Sequence, residues 1–289
     1  MSEEQSEKKY VGPYCLVKLI NTGQSCQLWQ AADEKKRKFV ALKRLLPELR
    51  RVPTEIELLK WEFAVASKLK SPYCIPAVEY ALDSRENPYL VSEWFPGLSM
   101  KAVLKSGIQY LSWRMPDAIP QMINALGDVH KQGYVHRDVK PDNFLINAQN
   151  EIKVIDFAIA QSTGLLASLF GGKQKIQGTR SYMSPEQIRG QRVDVRADIY
   201  SLGCTFFELL GGKTPYQGTP DEVLQQQLSA PVPNVIELDS NVSKDFNDII
   251  RKMMFKEPKK RFASMAELTE ALGRIKLFIH KPLAPKKQQ

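Results

Sequence analysis

The sequence predicts a two-lobed α+β fold, in which a small β-rich lobe with one main helix precedes a larger helical lobe. Strand-like runs occupy residues 14–21, 26–32 and 39–45, and turn-forming residues separate them. Beyond residue 97 the apolar pattern is mainly helical. A chain of 289 residues with 43% hydrophobic content is long enough to bury a core in each of two lobes.

One apolar stripe predicts the main helix of the first lobe. The stripe is formed by residues that recur at spacings of three and four, namely Ile56, Leu59, Phe63 and Ala66. Thr54 and Glu57 have the spacing of a capping box, which predicts that the helix begins with Thr54 as its cap.

Turn and breaker residues set the predicted domain boundaries. Two further strands flank the turn at residues 84–87, and Pro96 and Gly97 mark a hinge. We therefore divide the chain into a disordered lead at 1–9, an N-terminal lobe at 10–93, a C-terminal lobe at 94–279 and a basic flexible tail at 280–289.

The positive charge is concentrated at the C-terminal end. Residues 251–289 hold eleven Lys or Arg and three Glu, which accounts for eight of the nine net positive charges of the chain. Such an end fits an acidic partner, acidic lipid or nucleic acid, or it is a solubilising tail. No nucleic-acid-binding motif is recognisable, so the first and last alternatives stay open.

Cysteine usage and hydropathy indicate a cytoplasmic protein. The four cysteines are scattered without the paired spacing of zinc sites or of a disulfide framework. No apolar run has the length of a membrane span, and residues 1–9 have no apolar signal segment.

Two short motifs carry the chemistry. The loop HRDVKPDN at residues 136–143 places Asp138, Lys140 and Asn143 close together, and Asp156 follows a short apolar strand. This set supplies a proton acceptor, a phosphate-neutralising cation and two oxygen ligands for a divalent metal. Phosphoryl transfer needs these groups, because it requires an oriented hydroxyl and neutralisation of the charge on the transferring group.

These motifs resemble the catalytic loop and the metal-binding motif of eukaryotic-type Ser/Thr protein kinases, and they are closest to those of the bacterial members. The resemblance extends from residue 14 to about residue 275. It implies the two-lobed kinase fold, ATP with Mg²⁺ or Mn²⁺ as cofactors, and proteins as substrates. It assigns proton acceptance to Asp138, neutralisation of the phosphoryl group to Lys140, and metal binding to Asn143 and Asp156.

The resemblance also implies an ATP site. Lys43, in the run VALK, would hold the α- and β-phosphates, and Glu62 would pair with it, although the pattern alone also fits a solvated charge at Glu62. The remaining implied residues are Asn21 and Gly23 in the turn over the phosphates, Leu28, Ala41 and Leu145 beside the adenine, Ser92 at the rear of the pocket, and the backbone of Glu93 and Phe95.

The chain departs from the family pattern at three glycines. Of the Gly-rich turn only Gly23 is present, with Asn21 and Cys26 at the flanking positions, and Ala158 replaces the glycine after Asp156. These losses keep open the alternative of a nucleotide-binding pseudokinase scaffold. A protein that acts mainly through its basic end is a further alternative.

Residues 178–187, GTRSYMSPEQ, resemble the segment of the family that binds the protein substrate, and we refer to them as the docking loop. The resemblance assigns substrate docking to Thr179, and Thr179 together with Lys140 fits Ser/Thr specificity. It also implies that Asp198 steadies the backbone of the catalytic loop and that Arg261 pairs with Glu186.

Arg137 precedes the catalytic Asp, a position from which many relatives bind a phosphothreonine. Residues 173–177 contain no hydroxyl, however, and the nearest candidates are Ser162, Thr163 and Ser168. We therefore expect activity that does not depend on phosphorylation just before the docking loop. Packing, an acidic partner, homodimerisation or a phosphate at an unusual position would order the segment instead.

Overall fold

The structure is a computed structural model that describes residues 9–163 and 178–284 of the chain. Ser168 and residues 173–177 lie outside these ranges. The predicted α+β class is confirmed. The chain forms two compact units, of which the first holds the residues up to 70 together with 75–96 and the second holds 71–74 together with the residues from 97 onward.

The first unit is a six-stranded antiparallel sheet with the strand order β1-β2-β3-β4-β6-β5 and one long helix, α1. The bounds are β1 Tyr10–Val11, β2 Tyr14–Thr22, β3 Cys26–Asp33, β4 Lys38–Leu45, α1 Pro53–Ala66, β5 Ala77–Leu82 and β6 Pro88–Glu93.

The two faces of this sheet bury different clusters. On one face Val40, Leu42 and Val91 pack with Tyr14 of β2. On the other face Leu45 and Leu90 pack with Leu59 of α1. Because side chains alternate between faces along a strand, Ala41 and Lys43 of β4 share the face that α1 covers.

The predicted cap of α1 is wrong. The helix begins at Pro53, and the cap position is Val52, which has no capping side-chain hydrogen bond. Proline has a preset φ and no N–H, so it fits the first helical position and removes one donor that a cap would have to satisfy. Thr54 therefore lies within the first turn.

The second unit is mainly helical. Its helices are α2 Met100–Ser106, α3 Gln109–Ser112, α4 Met115–Lys131, α5 Pro185–Ile188, α6 Val195–Gly211, α7 Pro220–Ser229, α8 Lys244–Met253 and α9 Met265–Leu272. Short strands form the ladders β10-β9-β7 and β11-β8, with β7 Leu98–Ser99, β8 Tyr134–Val135, β9 Phe144–Ile146, β10 Ile152–Val154 and β11 Gln161–Ser162.

Helix α6 lies at the centre of this unit, and its residues 197–210 are all buried. It packs closely on α8, because a Cβ added at Gly203 would come within 2.9 Å of the Met253 Cβ. The segment at 71–74 is tied to the same unit, since the Val154 N–H donates to the Tyr73 carbonyl at 2.7 Å. The buried helix therefore provides a fixed base for the loops that follow β8 and β10.

Candidate active site

In the first unit, Lys43 and Glu62 form the predicted ion pair. Lys43 extends from β4, and its Nζ lies 2.7 Å from the Glu62 Oε2 on α1. Glu62 is buried, whereas the Lys43 side chain keeps 21% of its surface exposed. The alternative of a solvated surface charge at Glu62 is therefore excluded, and the ammonium group is held where a ligand can reach it.

The predicted adenine-contacting residues of the first unit lie on the same sheet face as Lys43. Leu28 is directly opposite Lys43 in the ladder between β3 and β4. Ala41 lies opposite Ser92 of β6, and Ser92 in turn lies opposite Ala77 of β5. Three small side chains thus form a row across three strands, which leaves space beside Ser92.

The turn that corresponds to the Gly-rich loop is a tight hairpin between β2 and β3. The Gly23 N–H donates to the Cys26 carbonyl at 2.8 Å, and a Cβ at Gly23 would meet only that oxygen at 3.6 Å. Asn21 is an ordinary strand residue opposite Leu28 and does not adopt a positive φ. The loss of glycine at position 21 therefore causes no backbone strain.

The backbone at the end of β6 offers one group for a base. The Glu93 N–H already donates to the Pro76 carbonyl at 3.2 Å, so a hydrogen bond from Glu93 to a nucleotide would use its carbonyl oxygen. Phe95 is half-buried two residues later in the same unit. Their roles in nucleotide binding stay predictions.

In the second unit, a buried carboxylate holds the catalytic loop. Asp198 of α6 accepts the backbone N–H groups of His136 and Arg137, each at 2.8 Å, and lies 2.8 Å from the His130 Nε2. Burial alone would raise the pKa of Asp198, but its hydrogen bonds and charge interactions with the two histidines lower it below the ordinary value. The predicted support of the loop by Asp198 is confirmed.

His136 fixes the next turn of the loop. Its Nε2 lies 3.1 Å from the Ile155 carbonyl and its Nδ1 lies 3.3 Å from the Asp138 N–H. This arrangement assigns the neutral tautomer with the proton on Nε2, because Nδ1 must accept. The ring also packs on Phe157, with the centroids 5.0 Å apart. The imidazole thereby links the Asp138 backbone to the strand that precedes Asp156.

The Asp138 carboxylate is the centre of a dense polar network. Its Oδ2 accepts from the Lys140 Nζ at 2.6 Å and from the Asn143 Nδ2 at 3.2 Å. Its Oδ1 accepts the N–H of Thr179 at 3.1 Å and the Thr179 hydroxyl at 3.0 Å. The Lys140 Nζ also donates to the Thr179 Oγ1 at 2.7 Å. The predicted catalytic and docking residues are thus in direct contact.

Asn143 and Asp156 provide the oxygen donors that suit a hard divalent cation. The Asn143 Nδ2 donates to the carbonyl of Asp138 at 2.8 Å as well as to its carboxylate, so its amide oxygen is the atom left for a metal. The Ile155 N–H donates to the Asn143 carbonyl at 3.0 Å, which ties Asp156 to the same loop. Such donors fit Mg²⁺ or Mn²⁺ with phosphate oxygens completing the shell.

The backbone beside the metal motif tolerates the alanine. Asp156 has φ +68°, a value that asparagine and aspartate adopt more readily than most residues. Ala158 does not have a positive φ. The replacement of glycine by Ala158 is therefore not a source of strain in this conformation.

The docking loop is anchored at both ends. Gly178 has φ +121°, and a Cβ there would come within 3.2 Å of the Arg137 carbonyl. At the other end Glu186 receives two hydrogen bonds from the buried Arg261 guanidinium, at 2.7 and 2.8 Å. The predicted pair of Arg261 with Glu186 is confirmed. Gln187 adds a bond from its Nε2 to the same Arg137 carbonyl at 2.9 Å.

Several supporting residues had no recognised sequence signal. His130 contacts Asp198, and the buried Glu208 of α6 pairs with Lys101 and accepts the hydroxyl of Tyr182 in the docking loop. A histidine four residues before the loop and a lysine on a short helix look ordinary in sequence. Only the tertiary structure brings them to their partners.

The last predicted ATP-site residue, Leu145, lies in β9, half-buried and opposite both Lys153 and Ser99. Within the described ranges, no group of three or more His, Cys, Asp or Glu side chains is arranged to hold a metal ion by itself. No helix there is both long and apolar enough to cross a membrane.

Comparison with known proteins gives consistent matches. Residues 14–272 match the protein kinase domain family. The probable serine/threonine-protein kinase SCO3848 of Streptomyces coelicolor is 30% identical over 268 residues, which cover 91% of this chain and 40% of the relative. The serine/threonine-protein kinase PknB of Mycobacterium tuberculosis is 31% identical over 267 residues, which cover 91% and 42%. The chain thus spans about two fifths of the length of these relatives.

Proposed function

The chain belongs to the protein kinase family, and from this premise we propose that it transfers the γ-phosphoryl group of ATP to Ser or Thr hydroxyls of protein substrates. One observation carries the proposal: the Asp138 carboxylate accepts a hydroxyl hydrogen bond from Thr179 at 3.0 Å while the Lys140 Nζ lies 2.6 Å from the same carboxylate. A base that orients a hydroxyl beside a cation is the arrangement that phosphoryl transfer requires.

Each residue of this loop has a defined part. Asp138 orients the substrate hydroxyl and takes its proton as the bond to phosphorus forms. Lys140 offsets the charge on the transferring phosphoryl, and its bond to the Thr179 hydroxyl keeps the ammonium near the acceptor. Asn143 holds the Asp138 side chain in place through its amide N–H groups. The cation and the base are thus positioned before a substrate binds.

Lys43, Asn143 and Asp156 are the groups that would hold ATP with its divalent metal, and we propose Mg²⁺ as that metal. The metal supplies charge neutralisation on the phosphates when it is bound. Glu62 fixes the Lys43 ammonium for the α- and β-phosphates. Mg²⁺ is preferred because a site with few protein oxygens suits a cation that keeps its waters and binds phosphate.

The backbone at the substituted glycines favours an active enzyme over a pseudokinase scaffold. Neither Asn21 nor Ala158 adopts a positive φ, so neither replacement distorts the hairpin or the metal motif. All five ionic and metal-binding positions of the family are also occupied by the expected residue types, as read from the sequence: Lys43, Glu62, Asp138, Asn143 and Asp156.

Incubation with labelled ATP and Mg²⁺ tests the proposal. We expect autophosphorylation or transfer to a generic protein acceptor such as myelin basic protein. Asp138→Asn removes the base with little change of shape, and Lys43→Met removes the phosphate-binding cation. Each should lower turnover about 10²–10⁴-fold, because both groups act on charge in the transition state.

The controls separate the alternatives. Thermal melting should show that both variants remain folded, and replacing Mg²⁺ by Mn²⁺ tests the choice of metal. Binding of ATP without any transfer by the wild type would favour the scaffold. Full activity of Asp138→Asn would show that the base is assigned to the wrong residue.

The compartment and the partners follow from the same proposal. Cys15, Cys26, Cys74 and Cys204 are all free thiols, which supports a reducing, cytoplasmic location. Protein substrates follow from the reaction. A homodimer and an acidic partner of the basic C-terminal end are the two arrangements that would supply regulation.

A further inference from the structure

The docking loop is supported from below by side chains that the reaction does not use. The carbonyl of Ser181, two residues beyond Thr179, accepts a hydrogen bond from the Gln227 Nε2 at 2.7 Å. Gln227 lies on α7 and is completely buried. Its Oε1 accepts the Tyr200 hydroxyl of α6. One buried amide therefore links the loop to the central helix.

A buried cation continues this connection. The Lys256 Nζ donates to the Tyr200 hydroxyl at 3.3 Å, to the Gln226 carbonyl at 3.2 Å and to the Tyr216 hydroxyl at 2.7 Å. It also lies 4.4 Å from the centre of the Tyr216 ring. In the described part of the chain Lys256 forms no ion pair with a carboxylate. The tyrosine rings and neutral oxygens therefore have to accommodate its charge.

The position of the ammonium group is set by the Arg261 anchor. The Arg261 guanidinium donates to the carbonyls of Phe255 and Lys256, at 2.7 and 3.1 Å, while it pairs with Glu186. The backbone of Lys256 is thus tied to the C-terminal end of the docking loop, and its side chain is tied to the middle. A neutral apolar residue at position 256 could not make the second connection.

We propose that Lys256, Tyr200 and Gln227 form a relay of positioning residues that holds the Ser181 carbonyl, and through it the docking loop, in the conformation that binds the protein substrate. The inference rests on the proposed kinase function. None of the three residues contacts Asp138, Lys140 or the predicted ATP residues in the structure. Loss of the relay should therefore weaken protein-substrate binding and leave nucleotide binding and the chemical step unchanged.

The test uses two conservative variants of the full chain. Tyr200→Phe removes only the hydroxyl and keeps the ring that Arg261 and Lys256 face, and Gln227→Met keeps the length of the side chain. With myelin basic protein as substrate, each should raise KM for the protein about three- to tenfold, the effect of one hydrogen bond, with kcat and KM for ATP unchanged. The double variant should show less than the product of the two effects, because both act on one network.

Hydrogen exchange provides a readout that does not need activity. Amides of residues 178–187 should exchange faster in both variants, whereas those of the catalytic loop at 136–143 should not change. Tyr216→Phe is the matched control: it removes a buried hydroxyl that also contacts Lys256 but lies off the path to Ser181. It should leave the exchange of the docking loop and KM for the protein as in the wild type.

The outcomes separate the two proposals. A wild type without transfer contradicts the kinase function, and the exchange data then decide on the relay alone. Unchanged exchange at 178–187, an equal rise of KM for protein and for ATP, or a fall in kcat at constant KM would each overturn the relay. If one variant does not fold, the other decides by the same criteria.

Discussion

Asp198 illustrates how one residue organises a site that it does not enter. It is completely buried, and a lone carboxylate there would be costly. Two backbone N–H groups and the His130 ring satisfy it. The same bonds allow Arg137 to adopt φ +69°, a conformation that is costly for most residues. The catalytic loop therefore takes its shape from an internal charge, and Asp138 is positioned as a consequence.

Ser92 is the residue for which the structure sharpens a sequence-based expectation. It lies between Ala41 and Ala77 on one sheet face, so there is no bulky side chain on either neighbouring strand. We predict that ATP analogues with a bulky substituent on the adenine bind within about threefold of ATP, and that Ser92→Met weakens only the bulky analogue, by about tenfold or more. Competition binding with both ligands measures the difference.

The control for this prediction is a substitution of the same size off the face that holds Lys43. Val91→Met changes the adjacent residue of β6, which points to the other side of the sheet. It should leave the ratio of the two affinities unchanged. Equal binding of the bulky analogue to wild type and Ser92→Met would show that Ser92 does not limit the pocket.

At the scale of elements, the short strands place the segments that lead into and out of the site. Ser162 of β11 lies opposite Tyr134 of β8, and the Thr163 N–H donates to the Gly133 carbonyl at 2.8 Å. The two nearest described hydroxyls after the metal motif are thus attached to the strand before the catalytic loop. They belong to a ladder and are separated in sequence from the docking loop, which begins at Gly178.

This arrangement supports the expectation that phosphorylation just before the docking loop is not required. Residues 173–177 have no hydroxyl, and the buried Nε of Arg137 has no hydrogen-bond partner within the described ranges. We predict that phosphatase-treated protein keeps most of its activity when assayed at once. Mass spectrometry of residues 158–187 at several protein concentrations checks the state of the segment.

Two results would separate the remaining mechanisms of ordering. A large loss of activity that returns with phosphate on Ser162, Thr163 or Ser168 would contradict the prediction. A steep dependence of specific activity on protein concentration, without phosphate, would favour homodimerisation.

At the scale of the whole molecule, the sequence was sufficient for local patterns and insufficient for distant partners. Alternation and the apolar stripe predicted the strands and α1, and motif spacing predicted the pairs of Lys43 with Glu62 and of Arg261 with Glu186. The start of α1 was missed because Pro53 competes with the Thr54 cap. The contact of Gln227 with Ser181 joins residues 46 positions apart, and no local pattern specifies such a bond.

Buried titratable groups make the stability of the whole chain depend on pH. Burial lowers the pKa of Lys256 from 10.5 to about 8, with Cys204 and Arg261 as its charged or titratable neighbours and the rings of Tyr200 and Tyr216 against it. Between these values the folded chain has released a proton that the unfolded chain retains. Stability should therefore rise as the pH increases from about 8 toward 10.5.

The thiols act in the opposite direction, which defines the useful window. Burial raises the pKa of Cys74 to about 11 and of Cys204 to about 12, both from 9.0, so ionisation in the unfolded chain lowers stability above pH 9. We predict that the wild type gains stability relative to Lys256→Met between about pH 7.5 and 9, measured by urea unfolding with a reductant present. A constant difference between the two proteins across this range would show that Lys256 keeps its proton in the folded state. A difference that falls with pH would mean that folding raises the pKa of Lys256, which would require a carboxylate partner.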